Sequence, residues 1–278
     1  MENYRIGFIG GGNMARSLVG GLIAGGVDGG RIRVAEPDPD KRAELAQRYG
    51  IETAADNAAV AGAVDVLVLA VKPQVLRPVV EGLAGHLGHR PPLLISIAAG
   101  VRAASIQRWL GQPQALVRAM PNTPALVRSG ATALYPTAQV SASQRDHAES
   151  IMRAVGQTLW IDDERQMDAI TALSGSGPAY FFLFMEALEE AAVELGLEPA
   201  AARLLTLETA QGAARMALSS DDSPATLRAR VTSPGGTTEA ALAVFAQGGF
   251  NALVARAVQA ARDRSDELAT LLDRDHGA

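Results

Sequence analysis

Through the first half of the chain, short β-branched runs alternate with stretches whose apolar residues recur every three or four positions. Short apolar runs bounded by turn residues read as strands, and the longer periodic stretches read as helices. Strands are expected at Arg5–Ile9, Arg31–Ala35, Val64–Val71, Leu93–Ile97 and Ala115–Ala119, then at Ala131–Tyr135 and Gln157–Ile161. Between them, helices are expected at Met14–Ala24, Pro39–Tyr49, Pro73–Leu87, Ala103–Leu110 and Ser143–Val155. Alternation at this spacing predicts an α/β domain, a mostly parallel sheet with helices on both faces.

After Asp162 the pattern changes. The remainder is rich in Ala, Leu and Glu, keeps a helical period and offers no convincing strand. Helices are expected at Glu164–Leu173, Pro178–Leu195, Pro199–Leu218, Ser223–Val231, Thr238–Gln247 and Phe250–Leu272. Pro199 and Pro224 suit first helical positions and Gly196 a helix end. The expected organisation is an α/β domain over residues 1–161 and an all-α domain over 162–278.

The uncharged stretch Ala169–Met185 holds Tyr180, Phe181, Phe182 and Phe184. It is shorter than the ~20 apolar residues a membrane-spanning helix needs, and Ser174-Gly175-Ser176-Gly177-Pro178 divides it. A helix buried in the helical domain or in a subunit interface is expected instead.

Composition narrows the function classes. A chain of 278 residues, 48% hydrophobic, has ample length for a core, and its net charge of −5 speaks against nucleic acid or an anionic membrane as partner. Cysteine is absent, which excludes disulfides, thiolate metal sites and cysteine nucleophiles, and no metal site is expected. The first strand starts close to the N-terminus, so the expectation is a cytoplasmic chain without a secretory leader.

The chemistry begins where the first strand runs into Gly10-Gly11-Gly12-Asn13-Met14-Ala15 and then a helix. Gly10, Gly12 and Ala15 spell the alanine variant of the dinucleotide fingerprint: a tight turn, a backbone open to a pyrophosphate, and close helix–strand packing. The helix N-terminus adds free N–H groups and partial positive charge. Glu36 ends the second strand, where an acid accepts ribose hydroxyls and repels a 2′-phosphate, favouring NAD. Lys41 and Arg42 follow closely and are able to reach a 2′-phosphate, so NAD and NADP both stay open.

Ala70-Val71-Lys72-Pro73 closes another strand at its carboxyl end, the ligand-binding edge of an open α/β sheet. Only Lys41 and Lys72 are lysine among 25 basic residues, which singles out Lys72 as a compact ammonium near cofactor or substrate. Ser96-Ile97-Ala98 and Met120-Pro121-Asn122 follow the next two strands onto the same rim, Asn122 being a candidate partner for a nicotinamide carboxamide. Far downstream, Ser233-Pro234-Gly235-Gly236-Thr237-Thr238 precedes a helix and reads as an anion cradle with hydroxyl donors. It lacks the lysine and strand of a P-loop, so a small carboxylate suits it better than a nucleoside triphosphate. His86, His89, His147 and His276 read as solvated residues.

Val231-Thr-Ser-Pro-Gly-Gly-Thr-Thr-Glu-Ala-Ala-Leu242 resembles the signature of pyrroline-5-carboxylate reductases, and the resemblance spans the chain. It includes Ile6–Ala15, Ala70–Pro73, Ser96–Gly100, Arg118–Pro124 (RAMPNTP) and Leu173–Tyr180 (LSGSGPAY). It implies a Rossmann domain followed by an all-helical domain that dimerises, in dimers or rings of dimers. It also implies that Gly10–Ala15, Asn57, Ala70–Pro73 and Ser96–Ala98 contact NAD(P). Glu164, Thr237 and Thr238 then match substrate-holding positions, with Thr238 on the ring nitrogen and the backbone around Thr237 receiving the carboxylate. Thr238 and Lys72 are the candidate catalytic residues. The implied reaction is hydride transfer from nicotinamide to the imine carbon of 1-pyrroline-5-carboxylate, giving L-proline. Family members preferring NADPH often carry Ser, Thr or Arg where this chain has Glu36. Two other readings stand beside this one. One is a related imine reductase or β-hydroxyacid dehydrogenase, the latter disfavoured because no lysine follows Lys72. The other is a non-catalytic NAD(P)-binding regulator.

Overall fold

The computed structural model of the protein describes residues 4–88 and 90–274. His89 and His276 lie outside the described residues. Among those described, eight strands form one sheet: β1 (Ile6–Ile9), β2 (Ile32–Ala35), β3 (Glu52–Ala54), β4 (Val66–Leu69), β5 (Leu93–Ser96), β6 (Leu116–Met120), β7 (Gly130–Pro136) and β8 (Gly156–Trp160). Their order is β3-β2-β1-β4-β5-β6-β7-β8. All neighbours run parallel except β6 and β7. The chain winds outward from β1 in both directions, so the crevice beyond the carboxyl ends of β1 and β4 is a topological switch point.

The helices of this part are α1 (Asn13–Ala24), α2 (Pro39–Tyr49), α3 (Asn57–Ala61), α4 (Pro73–Leu83), α5 (Ala103–Leu110), α6 (Ala142–Arg153) and α7 (Gln166–Ile170). Local chemistry sets their starts. Asp38 accepts the N–H groups of Asp40 and Lys41 with Pro39 at the first turn of α2, and Ser141 with Gln144 forms a reciprocal capping box on α6.

Successive strand residues face opposite sides of the sheet, and both sides are covered. Ile6 and Phe8 pack with Leu18, Val34 and Ile151, whereas Ile9, Leu67 and Leu69 pack with Leu76, Val80 and Ile106. A parallel strand buried on both faces is apolar throughout, which is why these runs read as continuous.

The remaining helices are α8 (Gly177–Glu194), α9 (Pro199–Leu218), α10 (Pro224–Arg230), α11 (Thr237–Gln247) and α12 (Phe250–Arg274). The chain divides into two compact units, Met1–Ser176 with Ala261–Ala278, and Gly177–Ala260. The expected break after residue 161 falls inside the first unit. Met167 is buried there with Ala133 and Ile161, and Asn122 donates to Ser174. The last turns of α12 belong to the same unit because Ser265 donates to Asp168 while Arg102 and Arg108 pair with Asp266 and Asp273.

The structure also adds β3 and α3, which the sequence pattern did not predict. It replaces the expected helix Glu164–Leu173 by α7 and one turn of π-helix, Thr171–Gly175. In the second unit, Phe184, Phe245 and Phe250 form a cluster with ring centroids 5.5–6.3 Å apart. Many of its other large apolar side chains are exposed, among them Phe181, Phe182, Leu183 and Leu204. No single helix among the described residues is long and apolar enough to cross a membrane.

Candidate active site

β1 leaves the sheet at Gly10, whose φ is +98°. A Cβ there would lie 2.6 Å from the Ala70 carbonyl oxygen, so both conformation and close approach require glycine. Gly12 caps α1 in an extended conformation with no side-chain acceptor on the first amides. Nothing lies within 4 Å of a Cβ built on it. The N-terminus of α1 therefore presents unsatisfied N–H groups to open space, the arrangement that takes a phosphate. Ala15, at 1% exposure, seats α1 on the sheet. Asn13 and Met14 begin the helix.

A cleft of about 410 Å³ opens at this switch point. Gly10, Gly12, Glu36, Asn57, Ala70, Val71 and Lys72, all singled out in the sequence, line it together. Pro73 begins α4, and Lys72, immediately before it, is extended and exposed. Gly11 points its N–H at Glu36 Oε2, 2.8 Å away. The chain thus supplies an open helix N-terminus, an apolar wall and an acid, a set that fits a dinucleotide.

Ile9, Ala35, Pro37, Ala55, Val75 and Val79 complete the lining and were not anticipated. Val75 and Val79 stand one helical turn apart just after Lys72-Pro73, which is the signal that would have identified them.

Ser96 and Met120 end β5 and β6, and Ile97, Ala98, Pro121 and Asn122 continue from them along the rim, all outside the lining of that cleft. Ser96 is buried, and its Oγ accepts the Ala98 N–H at 3.4 Å. Asn122 is engaged at both ends of its amide. Nδ2 donates to Ser174 O and Oγ, each at 3.2 Å, and Oδ1 accepts the Ala131 N–H at 2.9 Å. Its visible work is to tie the end of β6 to the π-turn.

Glu164 accepts from Arg118 Nη1 at 2.6 Å and from the Ala103 N–H at 2.7 Å. Glu164 and Arg118 border a second cavity of about 490 Å³, with Arg102, Asp168 and Asp266 on its walls. Arg118 was part of a recognised motif without an assigned role. A single cation in the apolar strand Leu-Val-Arg-Ala-Met is itself the sign of a buried pair.

In the second unit, Ser233–Thr238 forms a turn into α11. Gly235 takes φ +71°, Gly236 donates to Ser233 O at 3.0 Å, and Gly236 caps the helix without a side-chain acceptor. Thr237 and Thr238 open the helix and are exposed. Glu239 reaches back so that its Oε2 accepts the Gly235 N–H at 2.7 Å. The helix start thus joins free amides and hydroxyls in one place.

Comparison with known proteins matches residues 164–268 to the model for pyrroline-5-carboxylate reductase dimerisation, and residues 5–100 to that for NADP oxidoreductase, coenzyme F420-dependent. The chain is 54% identical to a pyrroline-5-carboxylate reductase of Pseudomonas aeruginosa, over 98% of this chain and 99% of that protein. It is 39% identical to the Escherichia coli protein of the same name, over 95% and 98%.

Among solved structures, a pyrroline-5-carboxylate reductase from Coxiella burnetii superposes with a TM-score of 0.92 at 50% identity, covering 96% of this chain and 99% of that one. The Plasmodium falciparum pyrroline carboxylate reductase, solved with NADP bound, gives 0.86 at 30% identity, over 97% and 99%. The chain belongs to the pyrroline-5-carboxylate reductase family, whose members are NAD(P)-dependent oxidoreductases.

Proposed function

We propose that the protein reduces the C=N bond of 1-pyrroline-5-carboxylate to give L-proline, with NADH or NADPH as reductant. The observation that carries this reading is the presence in one chain of two unlike helix starts. One is the glycine-turn cleft around Gly12, and the other is the Gly-Gly-Thr-Thr start of α11.

In this reading Gly10, Gly11, Gly12, Asn13, Met14 and Ala15 cradle the pyrophosphate, while Glu36 and Asn57 serve the adenosine end. Ala70, Val71, Lys72 and Pro73 line the path toward the reacting ring. Ser96, Ile97, Ala98, Met120, Pro121 and Asn122 form the wall beyond. Bound there, the reduced nicotinamide supplies the hydride. Ser233, Gly235, Gly236 and Thr237 shape the turn that receives the substrate carboxylate: the Gly235 and Gly236 amides hold the turn through Glu239 and Ser233, and the open amides at the start of α11 face the anion. Thr238 donates or accepts at the ring nitrogen and keeps the imine oriented, and Glu164 and Lys72 complete the charged surroundings. A protonated imine is already a good electrophile, so the side chains contribute by orienting it and excluding water.

Residues 1–161 supply the dinucleotide side of this assignment, and 162–278 the substrate and self-association side. A homodimer or a ring of dimers in the cytoplasm, with neither nucleic acid nor membrane as partner, is the proposed working form. The test mixes the purified protein with 1-pyrroline-5-carboxylate and NADH or NADPH and follows nicotinamide absorbance and proline. Oxidation of at least one cofactor, with equimolar proline, is expected. Oxidation of neither removes the reading.

A further inference from the structure

We infer that Glu36 biases this chain toward NADH over NADPH by holding an immovable carboxylate at the adenosine end of the cleft, an inference that rests on the dinucleotide reading above.

Glu36 directly follows β2 and is 7% exposed. Both of its oxygens are tethered. Oε2 accepts the Gly11 N–H at 2.8 Å and Oε1 accepts the Asp38 N–H at 3.2 Å. Gly11 makes room for this arrangement, since a Cβ there would stand 2.7 Å from Leu45 Cδ1 and 3.2 Å from Glu36 Oε2. The carboxylate cannot swing away without leaving a buried amide of the glycine turn unsatisfied.

A carboxylate has about four acceptor positions, and two here are used. The rest serve the cleft that Glu36 lines beside Gly10, Gly12 and Asn57. They are suited to O–H donors such as ribose hydroxyls. A 2′-phosphate brings like charge against a desolvated acid.

The neighbouring cations have partners other than the Glu36 carboxylate. Arg42 Nη1 donates to the carbonyls of Glu36 and Pro37 at 2.7 and 2.8 Å. Lys41 Nζ lies 3.5 Å from Asp38, and Arg16 spans the Gly11 carbonyl and Glu44. Among the described residues, no ion pair falls on the Glu36 carboxylate. Lys41 and Arg42, open in the sequence as phosphate ligands, thus already have partners in Asp38 and in the Glu36 and Pro37 carbonyls, and Asp38 adds a second negative charge beside them.

The test titrates the full-length protein with NADH and with NADPH separately, without substrate, reading nicotinamide fluorescence at one fixed salt concentration. The wild type is expected to bind NADH about tenfold or more tightly. Glu36→Gln, which removes the charge and keeps one acceptor oxygen, is expected to bring the two Kd values within about threefold. A wild type that binds NADPH as tightly as NADH overturns the inference even if the variant does not fold, and so does a Glu36→Gln protein with an unchanged ratio. A folded wild type that binds neither nucleotide overturns the underlying dinucleotide reading instead.

Discussion

Arg118 Nη1 donates to Glu164 Oε1 at 2.6 Å, and the same oxygen accepts the N–H of Ala103 at the first turn of α5. One carboxylate thus joins β6 to the helix that follows the rim segment Ser96–Ala98. The Arg118 side chain is only 10% exposed, so its charge depends on this partner. A desolvated guanidinium left without its acid is strongly unfavourable.

Glu164→Ala is therefore expected to destabilise the protein by about 2–4 kcal/mol, somewhat below the range for a fully enclosed pair because Glu164 is partly open. Glu164→Gln should cost less, since an amide oxygen still accepts from Ala103. Urea unfolding midpoints measure both. A Glu164→Ala protein as stable as wild type would show that the pair contributes nothing to stability.

Gly10 and Gly12 should separate fold from binding. Gly10→Ala places a Cβ 2.6 Å from a backbone oxygen at positive φ, and a loss of about 2–4 kcal/mol is expected together with lost nucleotide binding. Gly12→Val meets only open space at an ordinary φ, so stability should change by about 1 kcal/mol or less. Its branched side chain nevertheless fills the approach to the α1 amides. NADH and NADPH affinity should then fall by about a hundredfold. Parallel thermal unfolding and nucleotide titration distinguish the two outcomes.

Most of this architecture was legible because strands buried on both faces are apolar throughout and helices begin at Pro39, Pro73 and Pro199. β3 and α3 escaped notice because Glu-Thr-Ala and Asn-Ala-Ala-Val-Ala are too short to display a period. The last turns of α12 join the first unit through Ser265, Asp266 and Asp273, contacts between residues far apart in sequence that no local pattern encodes. Glu36 was recognisable as an acid ending a strand. Its tether to Gly11 depends on the turn of Gly10 bringing two backbones together, which only three-dimensional geometry reveals.

Asp273 makes the docking of the end of α12 pH-dependent. The Ser105 hydroxyl and then the Arg108 guanidinium stabilise its charged form and lower its pKa from the ordinary 3.8. A lowered folded-state pKa contributes stability that is fully present above the unfolded value and lost as pH falls through the folded one. Hydrogen-exchange protection of the α12 terminus, corrected for the intrinsic rate at each pH, should therefore fall below about pH 4. Asp273→Asn should lose protection at pH 7 and converge on wild type in acid. A difference that persists unchanged to pH 2.5 would contradict this account.

Thr238→Ala should lower kcat for 1-pyrroline-5-carboxylate reduction by about 10- to 100-fold, because a single oriented hydrogen bond at the reacting nitrogen is removed. The Kd for NADH or NADPH, measured without substrate, should stay unchanged. Loss of nucleotide binding in this variant would contradict the role proposed for Thr238.

The second unit should owe its stability to association. Phe181, Phe182 and Leu183 are 68%, 64% and 66% exposed within one chain, side by side on α8, and the buried side chains of α9 are only Ala202 and Thr206. Consecutive apolar residues on a helix point around much of its circumference, so no rotation of α8 within a single chain hides all three. A surface of this kind is stable in water when a second chain covers it, and residues 164–268 match a dimerisation model. Sedimentation at micromolar concentration should therefore give at least a dimer, and the thermal midpoint should rise with protein concentration. Leu183→Glu should shift the species toward monomer and lower that midpoint. A wild type that sediments as a monomer with a concentration-independent midpoint would mean that these side chains are tolerated in water, and the association would have to be sought on another face.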